Sequence, residues 1–275
     1  MDTTFIKAQT KPFGLVREMR RRNPLLFDVG AAHLILLAVM LVMAPFDGRL
    51  VTGVNPWLKP MKFAASIAVY VLTIGWLLYE LPLKEKARRL VDWSIAAAMV
   101  AEIVLITAQA ARGVRSHFNY SSPFDTLVFA VMGWAIIVNT VVAGYVTVKF
   151  WKTDAKIPAP YLWGIRLGLL IFVLASLEGF AMVGRSAHSV GVPDGGAGLP
   201  VVNWSTEGGD LRVAHFFGMH ALQALPLIGY LLSTRRARRL TGNPVRWMKA
   251  ASAAYALAAL LLFVWAISGR ALVSL

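Results

Sequence analysis

Seven long apolar stretches constrain this chain more than any other feature. They run approximately over residues 28–45, 63–81, 92–111, 124–148, 161–184, 211–233 and 248–268. About 20 apolar residues in helical form cross the roughly 30 Å of bilayer hydrocarbon. No water reaches the backbone there, so each stretch must satisfy its N–H and C=O groups internally, as a helix. With 57% hydrophobic and only 15% charged residues, an ordinary soluble domain is excluded. The expected fold is an all-α integral membrane protein: a basic tail over residues 1–27, then a seven-helix transmembrane domain over 28–270.

Lysine and arginine orient these spans. The tail carries Lys7, Lys11, Arg17, Arg20, Arg21 and Arg22, and the connections after spans two, four and six are also basic. The opposite side holds fewer than half as many cations. The positive-inside rule therefore predicts a cytoplasmic amino terminus and an external carboxyl terminus. The formal net charge of +14 is explained by this topology, so nucleic acid is not an expected partner; the bilayer is. No cleavable signal peptide is expected, and span one reads as an anchor. Its setting reads as a bacterial inner membrane, with the functional face toward the periplasm or exterior. Cysteine is absent, which excludes disulfides, thiolate metal sites and thiol catalysis.

External segments are richer in Gly, Pro, Asn, Trp and Ser than the cytoplasmic links, which points to an external functional face. The longest is the loop over residues 185–210, expected to be either a lid or disordered. Ser122, Pro123 and Asp125 read as a capped start to span four, and Asp210 as the cap of span six. Pro226 should kink span six. Glycines at 133, 144, 164, 168, 179 and 184 read as sites of close helix packing.

Chemistry is expected where charge sits inside apolar spans. An acidic residue at a helix centre costs about 2.5 to 3.5 kcal/mol on insertion scales, so such groups face a cavity or a partner. Glu102 in span three and Glu178 in span five meet this description. Each begins a polar stripe at offsets i, i+7 and i+10: Glu102, Gln109, Arg112 and Glu178, Arg185, His188. Span six adds Asp210, Arg212, His215, His220 and Gln223. At 1.5 Å per residue, His220 lies about 15 Å from the external edge, Glu102 about 14 Å and Glu178 about 10 Å. These three are the candidate catalytic groups. His117 falls nearer the outer mouth with His188.

Two carboxylates with one or two imidazoles suit zinc, iron or manganese, so Glu102, Glu178, His215 and His220 are the candidate ligands of a divalent metal. Haem through His215 or His220 is a lesser alternative. Lys59 and Lys62 stand where span two begins, and cations at a helix amino terminus oppose the helix dipole. An acidic substrate group or lipid phosphate would compensate them. Lys59, Lys62, Arg112, Arg185, His188, Asp210 and Arg212 are therefore the candidate substrate-binding residues. The expected function is a metal-dependent or acid–base membrane enzyme acting on a lipophilic or anionic small molecule or lipid. A proton-coupled anion transporter is the alternative, and a haem redox protein or a sensor the next.

Seven spans with histidines in a late helix resemble in outline the membrane-embedded metal hydrolases that include alkaline ceramidases and adiponectin receptors. That group has two late histidines four apart. His215 and His220 are five apart, and no early serine and aspartate set matches, so no residue role is carried over.

Overall fold

The computed structural model of the protein describes residues 14–274; Lys7 and Lys11 of the tail lie outside the described residues. A short helix α1 (Gly14–Arg22) leads into α2 (Pro24–Met43), followed by α3 (Leu58–Leu78), α4 (Glu85–Ala111), α5 (Pro123–Lys152) and α6 (Ala159–Arg185). A two-stranded ladder pairs β1 (Ser189–Val190) antiparallel with β2 (Gly209–Asp210). Then come α7 (Leu211–Met219), α8 (Ala221–Leu232), α9 (Arg235–Thr241) and α10 (Pro244–Ile267).

Among the described residues, six helices are long and apolar enough to cross a membrane: α2 through α6, and α10. The remaining expected span, span six over 211–233, is broken. Its two halves meet at His220, and α9 then turns away by 83°. The break lies ahead of Pro226, whose missing N–H and bulky ring weaken the turn preceding it. Large apolar side chains such as Ile35 at 66%, Val141 at 65% and Leu260 at 57% exposure point away from the bundle. Water would not tolerate so many, whereas hydrocarbon does. The protein is an integral membrane protein built of helices.

Local chemistry fixes where helices begin. Asn23, Ser122 and Asn243 each accept a backbone N–H with their side chains, and each is followed by proline at the first helical position. Proline loses nothing there, since its missing N–H would have been unpaired. Helix α3 begins at Leu58, ahead of the expected 63, so Lys59 falls in its first turn and Lys62 at the start of its second.

Between helices in lipid, the drive to associate is close contact rather than the hydrophobic effect. One face of α6 provides it. A Cβ on Gly164 would collide with the Leu225 carbonyl, and one on Gly168 would come within 2.7 Å of the Ala221 oxygen. Gly229 answers from α8, lying against the Pro160 carbonyl. Gly133, Gly144 and Gly184 have open space instead; the packing role expected of them is corrected, because they lie on faces with no adjacent backbone.

The end of the bundle near α1 is tied by ions. Arg22 is buried, donates to Glu18 at 2.9 Å and Glu80 at 2.6 Å, and lies over the Trp76 ring at 3.9 Å. Trp76 in turn reaches the Tyr161 hydroxyl at 3.3 Å, and Tyr161 meets Tyr230 edge-on. Basic α1 and basic α9 therefore share one end. The loop joining α6 to α7 is at the other.

Candidate functional site

At that other end the helices diverge around a cavity of about 670 Å³. Helices α3 to α7 supply its walls, and residues 193–205 of the α6–α7 connection form a roof. The floor is set by Tyr70, which stacks on Phe172 at 5.2 Å and donates to Asn139 Oδ1 at 2.8 Å. Asn139 thus borders the cavity.

Side-chain hydrogen bonds hold the roof in place. Asp194 accepts the backbone N–H groups of His188 and Ser189 and the His188 ring Nδ1 at 2.9 Å. Lys62 Nζ donates to the Val202 carbonyl at 3.0 Å, tying α3 to the roof. Arg212 donates to the Asn203 carbonyl at 2.5 Å, tying α7 to it. Burial opposes ionisation of Asp194, but its hydrogen bonds outweigh burial and hold it well below the usual carboxylate range. Burial pushes the His188 imidazole down from its ordinary value, against the pull of Asp194. It pushes His117 down further, helped by the charge of Lys59 and by His188.

Seven of the expected site residues line this cavity: Lys59, Lys62, Glu102, His188, Arg212, His215 and His220. Glu102 is 1% exposed, and its Oε1 has no hydrogen-bond partner among the described residues. Arg212 is neutralised by Asp210, at 2.9 and 2.5 Å. Lys59 and Lys62 form no ion pair within 4 Å among the described residues.

Hydrogen-bond logic fixes three imidazole tautomers. His215 Nδ1 faces only acceptors, Ala175 O at 2.9 Å and Glu178 Oε2 at 3.2 Å, so it carries the proton. His188 Nδ1 faces the Asp194 carboxylate and does the same. For His220 the argument takes one more step. Thr73 spends its only hydroxyl proton on Val69 O and so accepts from Gln223 Nε2. Gln223 Oε1 is then left facing His220 Nδ1 at 3.1 Å, and Nδ1 must donate. In the neutral ring each of the three keeps a lone pair on Nε2.

The remaining expected residues lie elsewhere. Asp210 is buried and consumed, capping α7 through Arg212 N and accepting from Ser205 N. Arg112 donates to Asp125 at 2.6 Å and to Gln109, so the Glu102 stripe splits: its outer two members turn to α5. Arg185 is exposed, beyond the cavity. Glu178 sits behind His215 rather than on the cavity wall. Among the described residues, no group of three or more His, Asp or Glu side chains is placed to hold a metal ion. The expected set of Glu102, Glu178, His215 and His220 is corrected on that point. Glu178 pairs with His215, while His220 turns its Nδ1 to Gln223 on its own helix.

Fold and cavity together define a multi-pass helical membrane protein with a roofed, partly polar chamber at one end. Comparison with protein-family models, with curated proteins and with solved structures finds nothing that matches this chain.

Proposed function

We propose that this protein is a membrane-embedded acid–base enzyme acting on an amphiphilic anion. The observation that carries the proposal is the pair Lys59 and Lys62, in the first and second turns of α3 and without an ion-pair partner among the described residues, inside an otherwise largely apolar chamber. Cations there are costly unless an anion compensates them. The helix dipole favours negative charge at the same point. Apolar walls such as Met99, Met132 and Phe172 suit a hydrocarbon portion of the same molecule.

In this reading His215 Nε2 takes a proton from the bound substrate or from a water beside it. Glu178 is a positioning residue that holds the ring and stabilises it once charged. Glu102, whose carboxyl lines the chamber, is the candidate for returning the proton, and His220 is a further base. Basic helices α1 and α9 at the opposite end support the positive-inside orientation, with the chamber facing outward.

The test is to purify the protein in mild detergent, identify organic anions that stay bound, and return them to reconstituted protein to follow conversion. The wild type should hold an amphiphilic anion stoichiometrically, and the Lys59→Gln, Lys62→Gln double variant should lose it. His215→Ala should keep the anion while conversion falls by about 100-fold or more. If the wild type enriches no anion over the double variant, the proposal fails. Retention without conversion would make the protein a carrier or sensor of that anion.

A further inference from the structure

A chamber at membrane depth can be reached from water or from the bilayer, and its wall is not continuous. Between α3 and α7 the lining residues Ser66, Val69 and Phe216 are themselves exposed, Val69 at 42% and Phe216 at 47%. Ser66 and Val69 belong to the membrane-crossing helix α3, so the surface they expose beside Phe216 faces hydrocarbon rather than water. The opening has a frame. Above it, Lys62 is bonded to Val202 of the roof, and Trp204 packs edge-on against Phe216 at 5.7 Å. Below it, Gln223 reaches across from α8 to Thr73 on α3 at 3.2 Å. Through that frame the two helices are held at top and bottom and left apart between.

The contents of the frame are ordered by polarity. Lys62 and Lys59 stand at its upper, inner side, one and two turns of α3 above Ser66, while Val69 and Phe216 form its sides. A charged head drawn to the lysines would leave its tail running down the apolar edge and out between α3 and α7. We infer that this gap is a lateral portal, and that the ligand is a membrane-resident amphiphile with an anionic head, taken directly from the bilayer with its acyl chain lying between α3 and α7. The inference rests on the anion-binding reading of Lys59 and Lys62. It adds the route and the requirement for a tail. The occupant follows from the charge complementarity at the top of the gap and from the apolar, lipid-facing surface below it.

The probe is dodecyl phosphate with a photoactivatable diazirine at the chain terminus, in phosphatidylcholine nanodiscs containing the full chain. Methyl phosphate, which has the head and no tail, is the soluble comparison. On the wild type, cross-links should fall on residues 66–73 and 216–220. Adducts confined to the outer faces of α2 and α10 would overturn the portal. The chain has no cysteine, so a Ser66→Cys variant can be labelled at that single thiol after it has folded. A bulky maleimide there should reduce dodecyl phosphate cross-linking at least tenfold while leaving calorimetric binding of methyl phosphate within twofold. Unchanged cross-linking after labelling would overturn the portal and leave the anion site standing. If Lys59→Gln, Lys62→Gln weakens neither probe, the anion site itself fails, and the portal with it.

Discussion

His215 Nδ1 lies 3.2 Å from Glu178 Oε2 and 2.9 Å from the Ala175 carbonyl, so a side chain on α7 is held by two acceptors on α6. Because the backbone acceptor acts independently of the carboxylate, Glu178→Gln should preserve the Nδ1–H tautomer. Nitrogen-15 NMR of labelled histidine checks this, and an Nε2–H ring in the variant would contradict the assignment. Conversion of the bound anion should fall about tenfold, less than when a carboxylate alone fixes the ring, because only charge stabilisation is lost.

Close approach along α6 gives a second prediction. Gly164→Ala gains up to about 1 kcal/mol in helix propensity, but its methyl would meet the Leu225 carbonyl, and such overpacking costs about 1–3 kcal/mol. Melting temperature in detergent should drop. Gly144→Ala, with open space at its Cβ, should melt at or slightly above the wild-type temperature. Equal melting of the two variants would mean that α6 and α8 do not pack through backbone contact.

Asp125 is the hub of the α4–α5 contact on the chamber side. Its side chain is 4% exposed and accepts from Gln109, Arg112, Ser121 and Ser122. Asp125→Ala should cost about 1–3 kcal/mol, the range for leaving such donors unsatisfied. Arg112 is half-exposed, so Arg112→Gln should cost less than about 1 kcal/mol. Chemical denaturation in micelles ranks the two, and the reverse order would show that the arginine, not the aspartate, organises the contact.

Roof stability should depend on pH through His188 and His117. Both are held below the ordinary imidazole value when the roof is closed, His188 by burial with Lys59 and Arg212, against Asp194, and His117 by burial with Lys59 and His188. An opened roof releases them toward the ordinary value of about 6.5. Below that pH the open form binds protons that the closed form refuses, so closure is fully favoured above about pH 6.5 and weakens as pH falls. Hydrogen exchange over residues 186–208, corrected for intrinsic rates, should be faster at pH 5 than at pH 7.5. Equal protection at the two pH values would exclude this coupling.

Much of the scaffold was legible one residue at a time. Six of the seven apolar lengths marked crossing helices because hydrocarbon enforces helix wherever a segment lies in it. Ser122 and Asp210 announced their helix starts because a cap is a contact within a few residues. Glu102 could be singled out because burial of a carboxyl is costly in any context. The two stripes were less reliable. Counting 100° per residue put Glu102, Gln109 and Arg112 on one face, but which neighbour that face meets at each height depends on how far α4 and α5 diverge. Asp125 takes the outer two residues, and only Glu102 remains at the chamber.

Sequence alone therefore determined that the chain is a bundle of membrane helices, where most of them begin, and which polar side chains are too deep to be incidental. Those are consequences of solvent and short-range geometry. Tertiary structure decided that Glu178 stands behind His215, that Asp210 is spent on Arg212 and its cap, and that Lys59 and Lys62 line one chamber with Glu102. It also decided that span six breaks at His220 into α7 and α8 and that α3 and α7 stay apart. Such outcomes hang on the rotation and separation of helices distant in sequence, set by glycine contacts such as Gly164 on Leu225 that no local pattern encodes.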